Sequence, residues 1–221
     1  MARRKDHSRD EIREMAIQAA SRILEDDGPE ALTARRVAKA IGYAPGTLYN
    51  VFADLDELAI FVNGRALDDL RQALMLARQQ AAENDRATTV DVVMALARTQ
   101  LDFMRQRPNV WWQLFHVRWP DDQLLPEWYI QKIAQTMGEL EQALLPEFDN
   151  DDSDGDDDGD GGFRDRLVRT LWAGFFGICE VAALRQLMIV PTDDIEDMTK
   201  FMVEACIAKA KAQKRPDGVP I

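Results

Sequence analysis

A chain of 221 residues, 46% of them apolar, is long enough to bury a sizeable core, and its formal charge of -12 argues against nucleic acid as a partner until the location of that charge is considered. Its two cysteines, Cys179 and Cys206, both lie in apolar helical patterns, which excludes a disulfide framework and leaves neither as a metal or redox candidate. No basic leader followed by an apolar stretch and a small-residue cleavage site opens the chain, so the expected location is the cytoplasm.

Met1 to Lys5 form a short basic arm. Ser8 and Glu11 have the spacing of a capping box, and Ile12, Met15, Ala16, Ala19, Ala20 and Ile23 fall at helical intervals, predicting a helix over residues 9–26 that Gly28-Pro29 stops. Thr33 can cap a second helix whose apolar side is Val37, Ala38 and Ile41, and Gly42 can end it in a left-handed conformation. Pro45 suits the first position of a third helix, because its missing N–H would be unpaired there. Leu48 and Phe52, four apart, anchor that helix and leave Thr47, Tyr49 and Asn50 pointing outward. Two short helices joined by a tight turn, with polar side chains on the free face of the second, are the helix-turn-helix arrangement that places a helix in a DNA groove.

Asp54 or Asp56 can open a long fourth helix, whose Leu58, Phe61, Val62, Ala66, Leu70 and Leu74 continue the stripe to about residue 82. Helical periodicity then covers 88–106, 109–118, 125–146, 164–189 and 193–213, interrupted at Pro108, Pro120, an acidic loop and Pro191. No strand alternation or internal repeat occurs. The expected fold is all-α: an N-terminal three-helix domain over 8–66, joined by a long helix to a C-terminal helical domain over 67–213, with a tail at 214–221.

Trp111, Trp112, Phe115, His116 and Trp119 crowd one short segment, and Phe103, Trp128, Tyr129, Trp172, Phe175 and Phe176 add further rings. Such residues either fill a core or line an apolar pocket. The candidates for a pocket are Phe103, Trp111, Trp112, Phe115, His116, Trp128, Trp172, Phe176 and Glu180. His116 has no second histidine at metal-ligand spacing, and neither His7 nor His116 has the companions that catalysis needs, so no enzyme and no metal centre is expected.

Residues 147–160 hold nine acids and no base, most of the excess negative charge, and the overlapping loop 149–162 is expected to be disordered by self-repulsion. Asp154, Asp156, Asp158, Gly159, Asp160 and Asp165 follow part of a calcium-loop template. The template's final Glu is absent, and a tract of Asp and Gly matches it by composition. Residues 1–50 are by contrast close to neutral, with Arg3, Arg4, Lys5, Arg9, Arg13, Arg35, Arg36 and Lys39 around the helix-turn-helix. Screening beyond about 8 to 10 Å keeps a remote acidic loop from cancelling a local basic face.

The apolar run Leu171 to Val190 carries Glu180 and Arg185, each costing about 2.5 to 3.5 kcal/mol at a bilayer centre, so no membrane span is expected. A helix apolar on nearly all sides needs cover on nearly all sides, and a second subunit can supply it, with Gly174 and Gly177 permitting close approach. A homodimer would present two recognition helices to a palindromic site. Glu180 in so apolar a helix needs a partner: Arg185, the other subunit or a cationic ligand.

Residues 8–65 resemble the tetracycline-repressor-like (TetR) transcriptional regulators through Leu32-Thr33, Val37-Ala38, Ile41-Gly42, Gly46-Thr47-Leu48-Tyr49, Phe52 and Leu58. The resemblance implies a dimeric, ligand-responsive repressor with a C-terminal domain that holds a small-molecule effector and the dimer interface, and with no cofactor. It implies that Thr33 and Tyr49 meet phosphates and that Ala44, Pro45, Thr47 and Asn50, with Gly46 among them, lie at or beside base edges. The side-chain chemistry agrees for Thr47, Tyr49 and Asn50. The family usually has Ser or Thr where Ala44 stands and Lys where Leu55 stands. Affinity is therefore expected to rest more on Arg3, Arg4, Arg35 and Arg36. The competing reading is an acidic helical protein-interaction module that has lost DNA binding.

Overall fold

The computed structural model describes residues 7–116, 119–120, 123–148, 162–183 and 194–214. Among them the regular elements are helices: α1 Arg9–Asp27, a one-turn 3-10 helix Pro29–Ala31, α2 Ala34–Ile41, α3 Pro45–Leu48, α4 Leu55–Ala82, α5 Thr89–Gln106, α6 Pro108–Phe115, α7 Glu127–Phe148, α8 Phe163–Ala183 and α9 Ile195–Lys214. The all-α expectation holds. Met1–Lys5, Arg185, almost all of the acidic loop and the tail beyond Lys214 lie outside the described residues, and so does most of the calcium-like spacing. Its last member, Asp165, sits in the first turn of α8 and pairs with Arg169 at 3.5 Å.

The helix limits follow local chemistry. The Ser8 N–H donates to Glu11 Oε2 at 2.7 Å and the Glu11 N–H to Ser8 Oγ at 3.2 Å, the reciprocal capping box of α1. Gly28, at φ 84°, ends α1, and Pro29 opens the 3-10 turn. The Thr33 hydroxyl accepts the Arg36 N–H at 3.3 Å to cap α2. At the other end of α2, Gly42 is left-handed at φ 79°. Its N–H donates to the Lys39 carbonyl and that of Tyr43 to the Ala38 carbonyl, which is a Schellman closure. Asp54 caps α4 by accepting the Glu57 N–H at 2.7 Å. Two elements are shorter than their sequence patterns: α6, expected to 118, ends at Phe115, and α3 ends at Leu48, where the chain tightens through the bonds Asn50 N–H to Thr47 O and Val51 N–H to Leu48 O, at 3.2 and 3.0 Å.

The chain divides into two compact units, Met1–Leu70 with Phe103–Ile133, and Arg71–Asp102 with Ala134–Ile221. In the first, the buried faces of α1 (Ala16, Ile17, Ala20, Leu24), α2 (Val37, Ala38, Ile41) and the α3 region (Leu48, Val51, Phe52) meet those of α4 and α6. Asn63 of α4, fully buried, donates from Nδ2 to the Gln113 carbonyl of α6 at 3.2 Å. Arg107, at the start of α6, reaches Glu25 of α1 at 2.8 Å and Asp69 of α4 at 2.9 Å. These bonds hold α6 against α1 and α4, the helices that flank the helix-turn-helix in the chain.

In the second unit α8 and α9 pack through Leu167, Leu171, Phe175 and Cys179 on one side and Ile195, Val203, Ile207 and Ala210 on the other. Buried Glu139 of α7 accepts from Arg78 Nε at 3.0 Å and lies 3.7 Å from Arg71, so its charge is matched by two cations of α4. Among the described residues no helix is long and apolar enough to cross a membrane.

Candidate nucleic-acid interface

The alternation of buried and free side chains along residues 33–52 builds a polar face. Leu48, Val51 and Phe52 are 3 to 4% exposed and turn inward. Tyr49 is consequently 55% exposed, and Asn50, Ala44, Pro45 and Gly46 are exposed beside it, with Thr47 half-buried. Thr33, Arg35 and Arg36 are exposed at the start of α2. Nine of the ten DNA-binding candidates thus fall within one helix-turn-helix, and the tenth, Arg4, lies outside the described residues.

Two details of this face are invisible to spacing. The Arg36 guanidinium is paired with the Asp27 carboxylate at the end of α1, whereas Arg35 makes no ion pair among the described residues. Tyr43, in the turn between α2 and α3, meets the His7 imidazole: Tyr43 Oη and His7 Nδ1 are 2.7 Å apart. Those residues are 36 positions apart and carry no motif that would pair them. The departure at Ala44 is also visible, since α3 has no side-chain cap bond.

The recognition region is braced from beneath. The Arg13 guanidinium lies 4.1 Å from the Phe61 ring centroid, 5.3 Å from that of Phe52 and 3.5 Å from Glu57. A cation over two aromatic faces and beside a carboxylate ties α1 to the start of α4.

The nine pocket candidates are divided between the two units. Phe103, Trp111, Trp112, Phe115, His116 and Trp128 belong to the first unit, and Trp172, Phe176 and Glu180 to the second. Phe103 and Trp111 are core residues, 9% and 3% exposed, and the Trp111 ring tilts against Phe115 at 4.8 Å. Trp112 is exposed and stacks flat on the exposed His116 at 4.4 Å, with His116 Nδ1 2.9 Å from the Trp112 carbonyl oxygen. Trp128 stacks on Phe61 at 4.6 Å and borders a groove of about 330 Å³ that Asp10, Arg13, Glu14 and Lys132 make strongly charged. Trp172, Phe176 and Glu180 are half-buried on α8. In the second unit a groove of about 620 Å³ is apolar, lined by Gly174, Ile178, Met198, Phe201 and Met202 with Asp194 and Asp197 at its rim.

Burial pushes the Tyr129 phenol and the half-buried Cys206 thiol up, so both stay protonated at neutral pH. Cys179 and Cys206 form no disulfide with each other. No group of three or more His, Cys, Asp or Glu among the described residues is placed to hold a metal ion.

Residues 16–60 match the family model described as bacterial regulatory proteins, tetR family. No curated protein matches the chain in sequence. Its fold is similar to solved structures at low identity. A protein with unknown function from Rhodococcus sp. RHA1 is 18% identical over 95% of this chain and 98% of its own, with a TM-score of 0.65. FadR from Bacillus subtilis, a transcriptional regulator in complex with stearoyl-CoA, is 12% identical over 88% of this chain and 97% of its own, at 0.62. The TetR-family repressor FadR from Thermus thermophilus, in complex with lauroyl-CoA, is 19% identical over 94% of this chain and 100% of its own, at 0.59. At these identities the likeness is one of fold.

Proposed function

We propose that this chain, whose residues 16–60 are a DNA-binding domain of the tetR family of bacterial regulatory proteins, is a cytoplasmic transcriptional repressor that holds a palindromic operator as a homodimer. The observation that carries this reading is the outward set Thr33, Thr47, Tyr49 and Asn50 on a helix-turn-helix seated by Leu48, Val51 and Phe52. Hydroxyls at 33, 47 and 49 suit phosphate oxygens and the Asn50 amide suits an adenine edge. Residues 8–66 act as the reader and 67–213 as the effector and dimer domain. The apolar groove of α8 and α9, where Phe201 is 77% exposed, supports a second copy as its cover.

A small-molecule effector that binds better to a conformer with displaced recognition helices weakens operator binding by the difference in its two affinities. Both FadR structures were solved with an acyl-CoA, which makes lauroyl-CoA and stearoyl-CoA the first effectors to try. The protein is proposed to have no catalytic activity of its own and no cofactor.

The test is binding to the DNA upstream of its own gene at graded salt. Affinity should fall as salt rises, and Tyr49→Phe should weaken it by about tenfold, the loss of about 1.5 kcal/mol for one hydrogen bond to a charged oxygen. The uncapped α3 and the engagement of Arg36 by Asp27 favour the rival reading, an acidic interaction module that does not bind DNA. No binding even at low salt decides for that rival.

A further inference from the structure

The short third helix gives the outward side chains little backbone support. Regular helix stops at Leu48, so Tyr49 and Asn50 stand in the turn that follows, and the start of α3 has no side-chain cap. Their direction is therefore set by the anchors on either side, Leu48 and Phe52, each 3% exposed.

Arg13 of α1 grips the Phe52 end by two routes. Its guanidinium lies 5.3 Å from the Phe52 ring centroid. It also lies 3.5 Å from Glu57 Oε1, while Glu57 Oε2 accepts the N–H of Ala53, the residue after Phe52, at 2.5 Å. Glu57 is itself fixed, because its own N–H donates to Asp54 at 2.7 Å. Phe61 completes the cluster: it lies under the same guanidinium at 4.1 Å and is tilted by 58° against Phe52 at 6.0 Å. One side chain thus holds both the Phe52 ring and, through Glu57, the backbone next to it. With a carboxylate and two ring faces around it, the Arg13 charge is directed at the protein.

We propose that Arg13 is a positioning residue for sequence recognition: by holding Phe52 and the Ala53 backbone against α1 it fixes the turn that presents Tyr49 and Asn50, and so sets how well one DNA sequence is told from another. This rests on the DNA-binding reading above. Attraction to phosphate falls slowly with distance, whereas a hydrogen bond to a base edge is gone by about 3.6 Å. A turn that loses its brace should therefore keep its general affinity for DNA and lose discrimination.

The experiment measures, by fluorescence anisotropy across a salt series, the binding of two labelled duplexes of equal length: the DNA upstream of the protein's own gene and a mixed sequence. The proteins are the full chain, Arg13→Met, Arg13→Lys, Asn50→Ala and the double variant Arg13→Met, Asn50→Ala. Arg13→Met should lower the ratio of the two affinities by about tenfold, the order of one lost base contact, with the salt slope on the mixed duplex unchanged. Arg13→Lys keeps the charge without the flat face and should lose less. In the Asn50→Ala background Arg13→Met should cost far less of the ratio, because the amide it helps to aim is gone. An equal fall on both duplexes would mean only a smaller folded fraction, and a flatter slope would mean a phosphate contact. Either result, or an undiminished loss in the Asn50→Ala background, overturns the positioning role and leaves DNA binding intact. If Arg13→Met does not fold, Arg13→Lys carries the same comparisons. Equal binding of both duplexes by the full chain also overturns the role, since there is then no discrimination for Arg13 to set. Failure to bind either duplex at low salt removes the DNA-binding reading, and this one with it.

Discussion

Gly64 and Trp128 offer a test in which the sign of a stability change reverses. A Cβ at position 64 would lie 2.8 Å from Trp128 Cζ3 and 3.3 Å from Cη2. The indole has little room to retreat, because it is stacked on Phe61 at 4.6 Å and packed edge-on against Tyr129 at 5.7 Å, while Phe61 itself lies under the Arg13 guanidinium. Forcing a methyl into a filled site of this kind costs about 1 to 3 kcal/mol. Against it stands the helix preference for Ala over Gly, about 1 kcal/mol at an interior position of α4. Gly64→Ala should therefore destabilise the native chain by about 1 kcal/mol. In a Trp128→Ala background the clash is gone and only the propensity remains, so the same substitution should stabilise by about 1 kcal/mol. The coupling of about 2 kcal/mol exceeds the roughly 0.5 kcal/mol within which independent sites add. Urea unfolding of the four proteins at one protein concentration measures it, provided the denaturant slopes agree. If Gly64→Ala stabilises both backgrounds equally, Trp128 is free to swing away. It would then behave as a ligand-facing ring and not as the packing element its stack implies.

Asp27→Asn releases the Arg36 guanidinium from its carboxylate and should tighten DNA binding, with a salt slope steeper by about 1; an unchanged slope places Arg36 off the DNA face. The Ser8 backbone N–H, then its hydroxyl, hold the Glu11 carboxyl below its usual pKa, so the stabilisation of the α1 start is complete above the ordinary glutamate range and is lost as pH falls through the lowered value. In an NMR titration Ser8→Ala, which keeps the backbone N–H, should move the Glu11 midpoint part of the way up, and a midpoint that stays put removes the hydroxyl as a cause.

The amino-acid order by itself determined whatever is settled within three or four residues. The Ser8–Glu11 box, the Thr33 and Asp54 caps, the left-handed Gly42 and the apolar stripes set the beginnings, ends and buried faces of most helices, because each is a hydrogen bond or a backbone preference between near neighbours. The polar face of Tyr49 and Asn50 was legible for the same reason: it is the complement of Leu48, Val51 and Phe52. Only the tertiary structure decided what long side chains meet. Arg36 found Asp27, His7 found Tyr43, and Trp128 found Phe61 over a glycine, pairings set by where separate helices cross. The aromatic residues show the limit most plainly. A ring that fills a core and a ring that lines a pocket have the same helical spacing, and the difference between buried Trp111 and exposed Trp112, adjacent in the chain, is made by the neighbouring helices that cover the one and leave the other open.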